Sequence, residues 1–253
     1  MYPFQYWKVK TIAYGRTFGI PLPFAYLVVP IFYPHRTPSH SMAPLMPPVN
    51  SGKHPVAIFS HGLYGNRNAY STLCGDLASH GFVVASIEHR DGSAVHSHVG
   101  GRRGKVVNYA DWKEKEKTHA GNPKGLWDWR ESQQRLRTQE LNECVQTLRD
   151  LNTGQPVFSY YEVVPSWFTS RLDLDHMVLL GHSFGGKSLW RPASTPRCEI
   201  GGIFLTNERH RLHSYGKQPD NKSIQNSRAS RPLVLVCRFS RGRTLFEGAS
   251  FIQ

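Results

Sequence analysis

The sequence predicts an α/β fold, a three-layer sandwich built around a mainly parallel sheet. Two short apolar runs, residues 56–59 and 82–87, flank a helical pattern over residues 68–80. Strand, helix and strand within about 30 residues form the repeating unit of a parallel sheet. A third apolar run, residues 177–180, leads directly into the pentapeptide Gly-His-Ser-Phe-Gly at 181–185. A Gly-X-Ser-X-Gly motif after a strand is typical of a sharp strand-to-helix turn.

The remaining segments predict the elements that surround this sheet. Residues 1–54 are rich in proline and predict loops, with a strand near residues 27–32. Residues 91–127 are rich in glycine and charge, which is typical of a surface excursion or a lid. Residues 132–151 predict a helix whose apolar stripe is formed by Leu141, Val145 and Leu148.

Composition and charge indicate one globular domain with an unusual end. The chain has 253 residues, 39% of them hydrophobic, and a net charge of +13. Residues 1–186 contain 19 basic and 14 acidic residues, whereas residues 187–253 contain 12 and 4. We therefore expect an α/β core over residues 1–186 and an atypical basic segment over 187–253, so that the C-terminal part of the fold is incomplete. Without zinc-finger spacing or an aromatic RNA-binding motif, the charge does not indicate a nucleic-acid partner.

Cysteine usage and the N-terminal residues bear on location. The four cysteines are widely spaced without a CxxC pair, so we expect reduced and mostly buried thiols. Residues 1–10 lack the apolar core of a secretory signal, which favours a cytoplasmic location. The apolar stretch 18–33 is interrupted by three prolines and is shorter than the roughly 20 residues that span a bilayer, so we expect no transmembrane segment. Contact of this stretch with a membrane surface is the alternative to buried packing.

Two histidines in the excursion raise the question of a metal site. His96 and His98 are two residues apart, but the sequence offers no third ligand at a suitable spacing. We therefore predict no metal and expect both histidines to be solvated loop residues.

The pentapeptide is the candidate catalytic motif. Its glycines would let Ser183 occupy a strained turn with the hydroxyl raised above the sheet. The same turn would direct the backbone N–H of Phe184 at a developing oxyanion. A second donor, the N–H of Leu63, would come from the loop after the strand at residues 56–59. The alternatives are that Ser183 merely occupies a glycine-rich turn and that Gly62 makes a plain tight turn.

With these motifs in place, the sequence resembles the platelet-activating factor acetylhydrolase family, and its fungal members most closely. The matching blocks are HPVAIFSHGL (54–63), YS (70–71), DLASHGFVVA (76–85), EHRDGS (88–93) and LGHSFGG (180–186). The resemblance implies an α/β-hydrolase fold, Ser183 as nucleophile, and an oxyanion hole formed by Leu63 and Phe184. The implied reaction is hydrolysis of 1-alkyl-2-acetyl-glycerophosphocholine to the lyso-lipid and acetate, without calcium or any other cofactor. The block 88–91 is interpreted as structural, and a catalytic role for His89 lies outside the family pattern.

The resemblance ends directly after the pentapeptide. Pro192 and Pro196 would limit the following helix to one or two turns. The family's acid lies in an Asp-Ala-Trp motif, whereas residues 203–208 contain no aspartate, which leaves Glu208 as the candidate acid.

The family's catalytic histidine lies in a Gly-Ser-Val-His context that this sequence lacks before Gln253. His210 and His213 are the only histidines after Ser183 and are the candidate bases. A serine without a base is a poor nucleophile. The alternative hypothesis is therefore a catalytically impaired, truncated family member or isoform that acts as a lipid-surface or protein-interaction module.

Overall fold

A computed structural model describes the chain in ten segments. They are residues 11–32, 39–41, 45–48, 52–99, 105–155, 157, 166–189, 203–205, 233–240 and 243–252. For residues 28–32, 39–41 and all described residues after 189, only the backbone is described.

The described residues contain nine strands in two sheets. Their bounds are β1 Ser39–Ser41, β2 His54–Ser60, β3 Val83–Ile87, β4 His96–Val99, β5 Lys105–Asn108, β6 Leu172–His182, β7 Ile203–Leu205, β8 Leu233–Ser240 and β9 Arg243–Ile252. Seven of them form one sheet in the order β1-β9-β8-β3-β2-β6-β7, and β4 pairs with β5 as a separate hairpin. The five strands from β8 to β7 are mutually parallel, while β9 and β1 are antiparallel to their neighbours. The predicted mainly parallel sheet is therefore confirmed.

The described residues also contain six α-helices. Their bounds are α1 11–17, α2 Leu22–Phe32, α3 Ser71–Ser79, α4 Trp112–Thr118, α5 Pro123–Thr153 and α6 Phe184–Leu189. Helix α6 has six residues, in agreement with the one or two turns predicted before the prolines. Among the described helices, none is both long and apolar enough to cross a lipid bilayer.

Helices cover both faces of the sheet and bury its central strands. On one face, Leu141, Cys144 and Leu148 of α5 pack against Val56 and Ile58 of β2. On the other face, side chains of α3 pack against the alternate β2 residues, Ala57 and Phe59. Since successive side chains of a strand point to opposite faces, β2 is buried from both sides. This is the predicted three-layer α/β sandwich, the arrangement of an α/β hydrolase.

Three local predictions need correction. Residues 27–32 belong to helix α2 and not to a strand; a short apolar run does not by itself distinguish the two. Helix α5 begins at Pro123, nine residues before the predicted start, because Asn122 caps it through the Gly125 N–H. Neither histidine is a solvated loop residue: both lie in strand β4, where His96 is buried and His98 is half-buried, and their Nε2 atoms are 3.0 Å apart.

Strands β7, β8 and β9 come from the part of the chain after residue 187. Their backbones extend the sheet at both of its sides. The division of the chain at residue 186 stays a prediction. The side chains of Cys74 and Cys144 are described, and both are buried as expected.

Candidate active site

Ser183 lies at the junction between strand β6 and helix α6. The strand ends at His182 and the helix begins at Phe184. Ser183 itself has a φ of 51°, a left-handed conformation that a non-glycine residue rarely adopts. The residue is exposed, and Oγ makes no hydrogen bond in the part of the chain that the structure describes. The hydroxyl is therefore presented to solvent from a strained strand-to-helix turn, as the motif predicts.

Two glycines make this turn sterically feasible. A Cβ on Gly181 would lie 2.6 Å from the backbone nitrogen of Gly186. A Cβ on Gly185 would overlap the carbonyl oxygen of Ser60 and lie 2.6 Å from that of His61. All these neighbours are backbone atoms, which cannot rotate away as a side chain would. The start of α6 thus lies directly against the end of β2, and only glycine permits this approach.

The loop after β2 lies beside the turn. Ser60 is in register with Gly181, so the two strands end at the same level of the sheet. A Cβ on Gly62 would lie only 3.4 Å from Cβ of Ser183. The N–H groups of Leu63 and Phe184 donate to no acceptor in the described part of the chain. Free N–H groups next to a nucleophile are the arrangement that stabilises an oxyanion.

Arg137 of helix α5 lies beneath this loop and is fully buried. Its Nη1 donates to the His61 carbonyl oxygen at 2.6 Å, and its Nε donates to Asp91 Oδ2 at 2.9 Å. Its Cζ lies 4.8 Å from the centre of the Phe184 ring. One guanidinium therefore contacts the segments that carry both candidate oxyanion donors. A buried charge of this kind requires its partners, which explains why Asp91 is buried with it.

His89 continues the buried polar cluster. Its Nδ1 lies 2.6 Å from Glu140 Oε2, and its Nε2 lies 2.8 Å from the Ser60 hydroxyl oxygen. Burial, followed by the charge of Arg137, lowers the pKa of His89 well below its ordinary value. Burial raises the pKa of Glu140, and the backbone N–H of Arg90 opposes this by binding the carboxylate at 3.1 Å. With both ring nitrogens engaged, His89 has a structural role, in line with the interpretation of residues 88–91.

His61 is neutral in this environment. Its Nδ1 contacts the Gly62 carbonyl oxygen at 2.8 Å, and its Nε2 accepts from the His89 backbone N–H at 3.3 Å. Burial, followed by the charge of Arg137, lowers the pKa of His61 to about 4. These two contacts fix the ring orientation of His61, the residue that immediately precedes Gly62.

Two further contacts hold the turn in place. Gln134 donates to the Phe184 carbonyl oxygen at 3.2 Å and accepts from the Ser188 hydroxyl at 2.8 Å. On the opposite side, Tyr70 Oη lies 2.8 Å from His182 Nδ1. The turn is thus anchored from α5 and from the residue that precedes α3.

The buried polar side chains around the turn and the loop, here called the supporting shell, were not predicted from the sequence, although α5 contains a signal for them. The apolar stripe of α5 continues toward its N-terminus with polar side chains on the same face: Gln133, Gln134, Arg137 and Glu140, all buried. Polar residues at helical spacing in line with an apolar stripe indicate a buried polar cluster.

The geometry of the described residues does not test the candidate acid and bases. Glu208, His210 and His213 lie outside the described residues. Within the described segments, no histidine, aspartate or glutamate contacts the Ser183 hydroxyl. Likewise, no three His, Cys, Asp or Glu side chains in these segments are grouped as a metal site requires. The evidence for the roles of Ser183, Leu63 and Phe184 is therefore the geometry of the strand-to-helix turn and of the loop after β2.

Comparison with known proteins identifies the family. The family model of platelet-activating factor acetylhydrolase, isoform II, matches residues 25–197. Platelet-activating factor acetylhydrolase of Bos taurus is 34% identical over 164 residues, which cover 58% of this chain and 34% of the bovine protein. A putative phospholipase A2 of Schizosaccharomyces pombe is 31% identical over 209 residues, covering 72% of this chain and 40% of that protein. The chain therefore spans well under half the length of these relatives.

The match includes the two segments that form the site, the loop after β2 and the strand-to-helix turn. The extent of the family match, together with this fold, shows that the chain belongs to the platelet-activating factor acetylhydrolase, isoform II, family.

Proposed function

We propose that this chain is a serine esterase that hydrolyses the sn-2 acetyl or short acyl ester of phospholipids resembling platelet-activating factor. The observation that carries the proposal is the exposed Ser183 hydroxyl in a strained turn, beside the N–H groups of Leu63 and Phe184, which donate to no acceptor among the described residues. The names of the relatives, an acetylhydrolase and a putative phospholipase A2, support a phospholipid ester as substrate.

The proposed reaction proceeds in two steps. Ser183 Oγ attacks the carbonyl carbon of the ester, and the N–H groups of Leu63 and Phe184 stabilise the resulting oxyanion. The C–O bond to glycerol then breaks, the lyso-lipid leaves with a proton, and the acyl group stays on Ser183. Water adds to this acyl-enzyme and releases the carboxylic acid. The proton transfers require a base, for which His210 or His213, assisted by Glu208, are our candidates.

The second candidate is a catalytically impaired member that binds lipid surfaces or proteins. It is favoured by the sequence after residue 186, which lacks the Asp-Ala-Trp and Gly-Ser-Val-His motifs that carry the acid and the histidine in the family. Loss of a triad member leaves only about 10³–10⁴-fold catalysis over water. Exposed apolar side chains near the N-terminus support contact with a membrane surface: Phe18, Phe24 and Leu27 are 65%, 61% and 69% exposed.

Intact-mass analysis after fluorophosphonate treatment separates the two candidates. An esterase gains one adduct, and Ser183→Ala, checked for folding by circular dichroism, gains none. A wild-type protein that is folded but unlabelled would reject the esterase and leave the binding module. If labelling occurs, hydrolysis of monomeric phosphocholines with increasing sn-2 chain length then tests the short-acyl preference.

A further inference from the structure

Arg130 of helix α5 is surrounded by aromatic rings next to the catalytic turn. Its Cζ lies 4.4 Å from the ring centre of Trp129, 5.0 Å from that of Trp112 and 5.5 Å from that of Phe184. These rings come from three helices, α5, α4 and α6. Because Phe184 directly follows Ser183, the guanidinium lies at the candidate site, and its position is fixed by stacking.

The charge of Arg130 has no carboxylate partner among the described residues. Its Nη1 donates to Gln133 Oε1 at 2.7 Å, which engages one of five N–H donors. Two acids on the adjoining elements have other partners. Asp111 caps α4 by accepting from the Lys113 N–H at 2.7 Å, and Glu131 pairs with Arg135 at 3.7 Å.

Two neighbouring arginines of the same site behave differently. Arg137 is paired with Asp91, and Arg90 is paired with Glu140 and Glu143. Both serve the internal structure of the protein. The positive charge of Arg130 is not neutralised by any described acid, and its planar guanidinium donors do not bind a described carboxylate.

The charge of Arg130 also acts on the loop that carries the other candidate oxyanion donor. A hydrogen bond with Tyr109 is the largest cause that raises the pKa of Tyr64 to about 12, and the charge of Arg130 opposes this shift. The guanidinium is therefore within electrostatic reach of the Tyr64 side chain. Tyr64 follows Leu63, so the charge of Arg130 acts on the loop as well as on the turn at Ser183.

We propose that Arg130 binds the phosphate of a phospholipid whose sn-2 ester lies at Ser183. This inference rests on the proposed function, because it gives the same site its headgroup contact. In a glycerophospholipid the phosphate is on the carbon next to the ester-bearing carbon, so a phosphate ligand is required close to the oxyanion donors. A guanidinium binds phosphate oxygens in pairs through its edge, while its faces stay stacked on aromatic rings.

The test uses ligands that cannot be hydrolysed, so that it does not depend on catalysis. Isothermal titration calorimetry compares a monomeric short-chain diether glycerophosphocholine with the diether glycerol that lacks the phosphocholine group. Arg130→Gln is expected to weaken binding of the phosphocholine by on the order of tenfold or more, the usual effect of losing a charge-assisted contact. Binding of the neutral glycerol is expected to be unchanged.

Arg135→Gln is the matched control, since it removes one positive charge from the same helix at a side chain that is 73% exposed. It should bind both ligands as the wild type does. Equal weakening of both ligands in Arg130→Gln would show a packing role, and unchanged phosphocholine binding would also overturn the proposal. A wild-type protein that binds the phosphocholine no better than the glycerol would do the same. If fluorophosphonate labelling fails while Arg130-dependent binding persists, the esterase proposal falls and this inference stands.

Discussion

The two halves of the candidate site are held by different forces. The turn at Ser183 is fixed by close contact between backbones, since Gly185 lies against the carbonyl groups of Ser60 and His61. The loop at 61–63 rests on buried charge, because Arg137 binds the His61 carbonyl oxygen and Asp91 neutralises it. Steric contact tolerates no added atom, whereas a buried ion pair tolerates no missing partner. The two halves should therefore fail in different ways when they are mutated.

The largest effect is expected when the charged half is broken. Arg137→Met leaves the Asp91 carboxylate buried without its cation, which typically costs about 3–5 kcal/mol. Urea unfolding should show this loss in the free energy of unfolding. The double variant Arg137→Met/Asp91→Asn removes both charges and should recover part of the loss. A double variant no more stable than the single one would show that the ion pair is not the source of the effect.

The steric half is tested by one added methyl group. Gly185→Ala places a Cβ against backbone atoms, and we expect a loss of up to about 3 kcal/mol together with loss of fluorophosphonate labelling. The control is Gly121→Ala, since Gly121 has a φ of 76° and nothing within 4 Å of its Cβ position. It should cost about 1 kcal/mol of left-handed strain and retain the wild-type behaviour toward the reagent. Equal effects of the two variants would refute the steric account.

Low pH should destabilise the loop at 61–63 through protonation of His61. Its folded-state pKa of about 4 lies below the unfolded value near 6.5, so the unfolded chain binds more protons between these pH values. The contribution of neutral His61 is thus present above about pH 6.5 and is lost as the pH falls toward 4. The slope is at most roughly 1.4 kcal/mol per pH unit. Unfolding of the wild type and His61→Gln at several pH values should differ by this slope.

The exposed His80→Gln variant controls for the loss of an imidazole outside the cluster. An identical pH dependence in wild type and His61→Gln would contradict the assignment of His61.

The smallest effect is expected at the contact that anchors the turn from the residue before α3. Tyr70→Phe removes the hydroxyl that contacts His182 Nδ1 at 2.8 Å, and a net cost of about 1 kcal/mol is usual for one such bond. Thermal unfolding measures this change in stability. The rate of fluorophosphonate labelling shows whether the contact between Tyr70 and His182 also aligns Ser183. A variant more stable than the wild type would show that the contact is not favourable.

The central sheet could be predicted because its strands are uninterrupted apolar runs. Residues 56–59, 82–87 and 177–180 were all assigned to strands that the structure contains, and the turn at Ser183 follows from its glycines. The helix at residues 22–32 could not be predicted this way, since its apolar run has no polar face to reveal its period.

The supporting shell of the site was harder to predict for a different reason. Arg137 and Asp91 are 46 positions apart in the chain, and sequence spacing does not show that they meet. His96 belongs to a segment, residues 91–127, whose glycine and charge content predicts a surface excursion, yet it is buried in strand β4. Contacts between distant segments depend on topology, which local patterns do not contain.

The register of β2 on β6 has a consequence for how the protein folds. Ser60 and Gly181 are neighbours in the sheet but are far apart in sequence, and a slip of one residue would turn each side chain to the wrong face. Closing so long a loop is slow relative to forming local structure. The environment of Ser183 should thus come into existence only when the central strands have paired correctly. If Ser183 reacts with fluorophosphonate, the rate at which labelling appears during refolding would measure how fast the central strands pair.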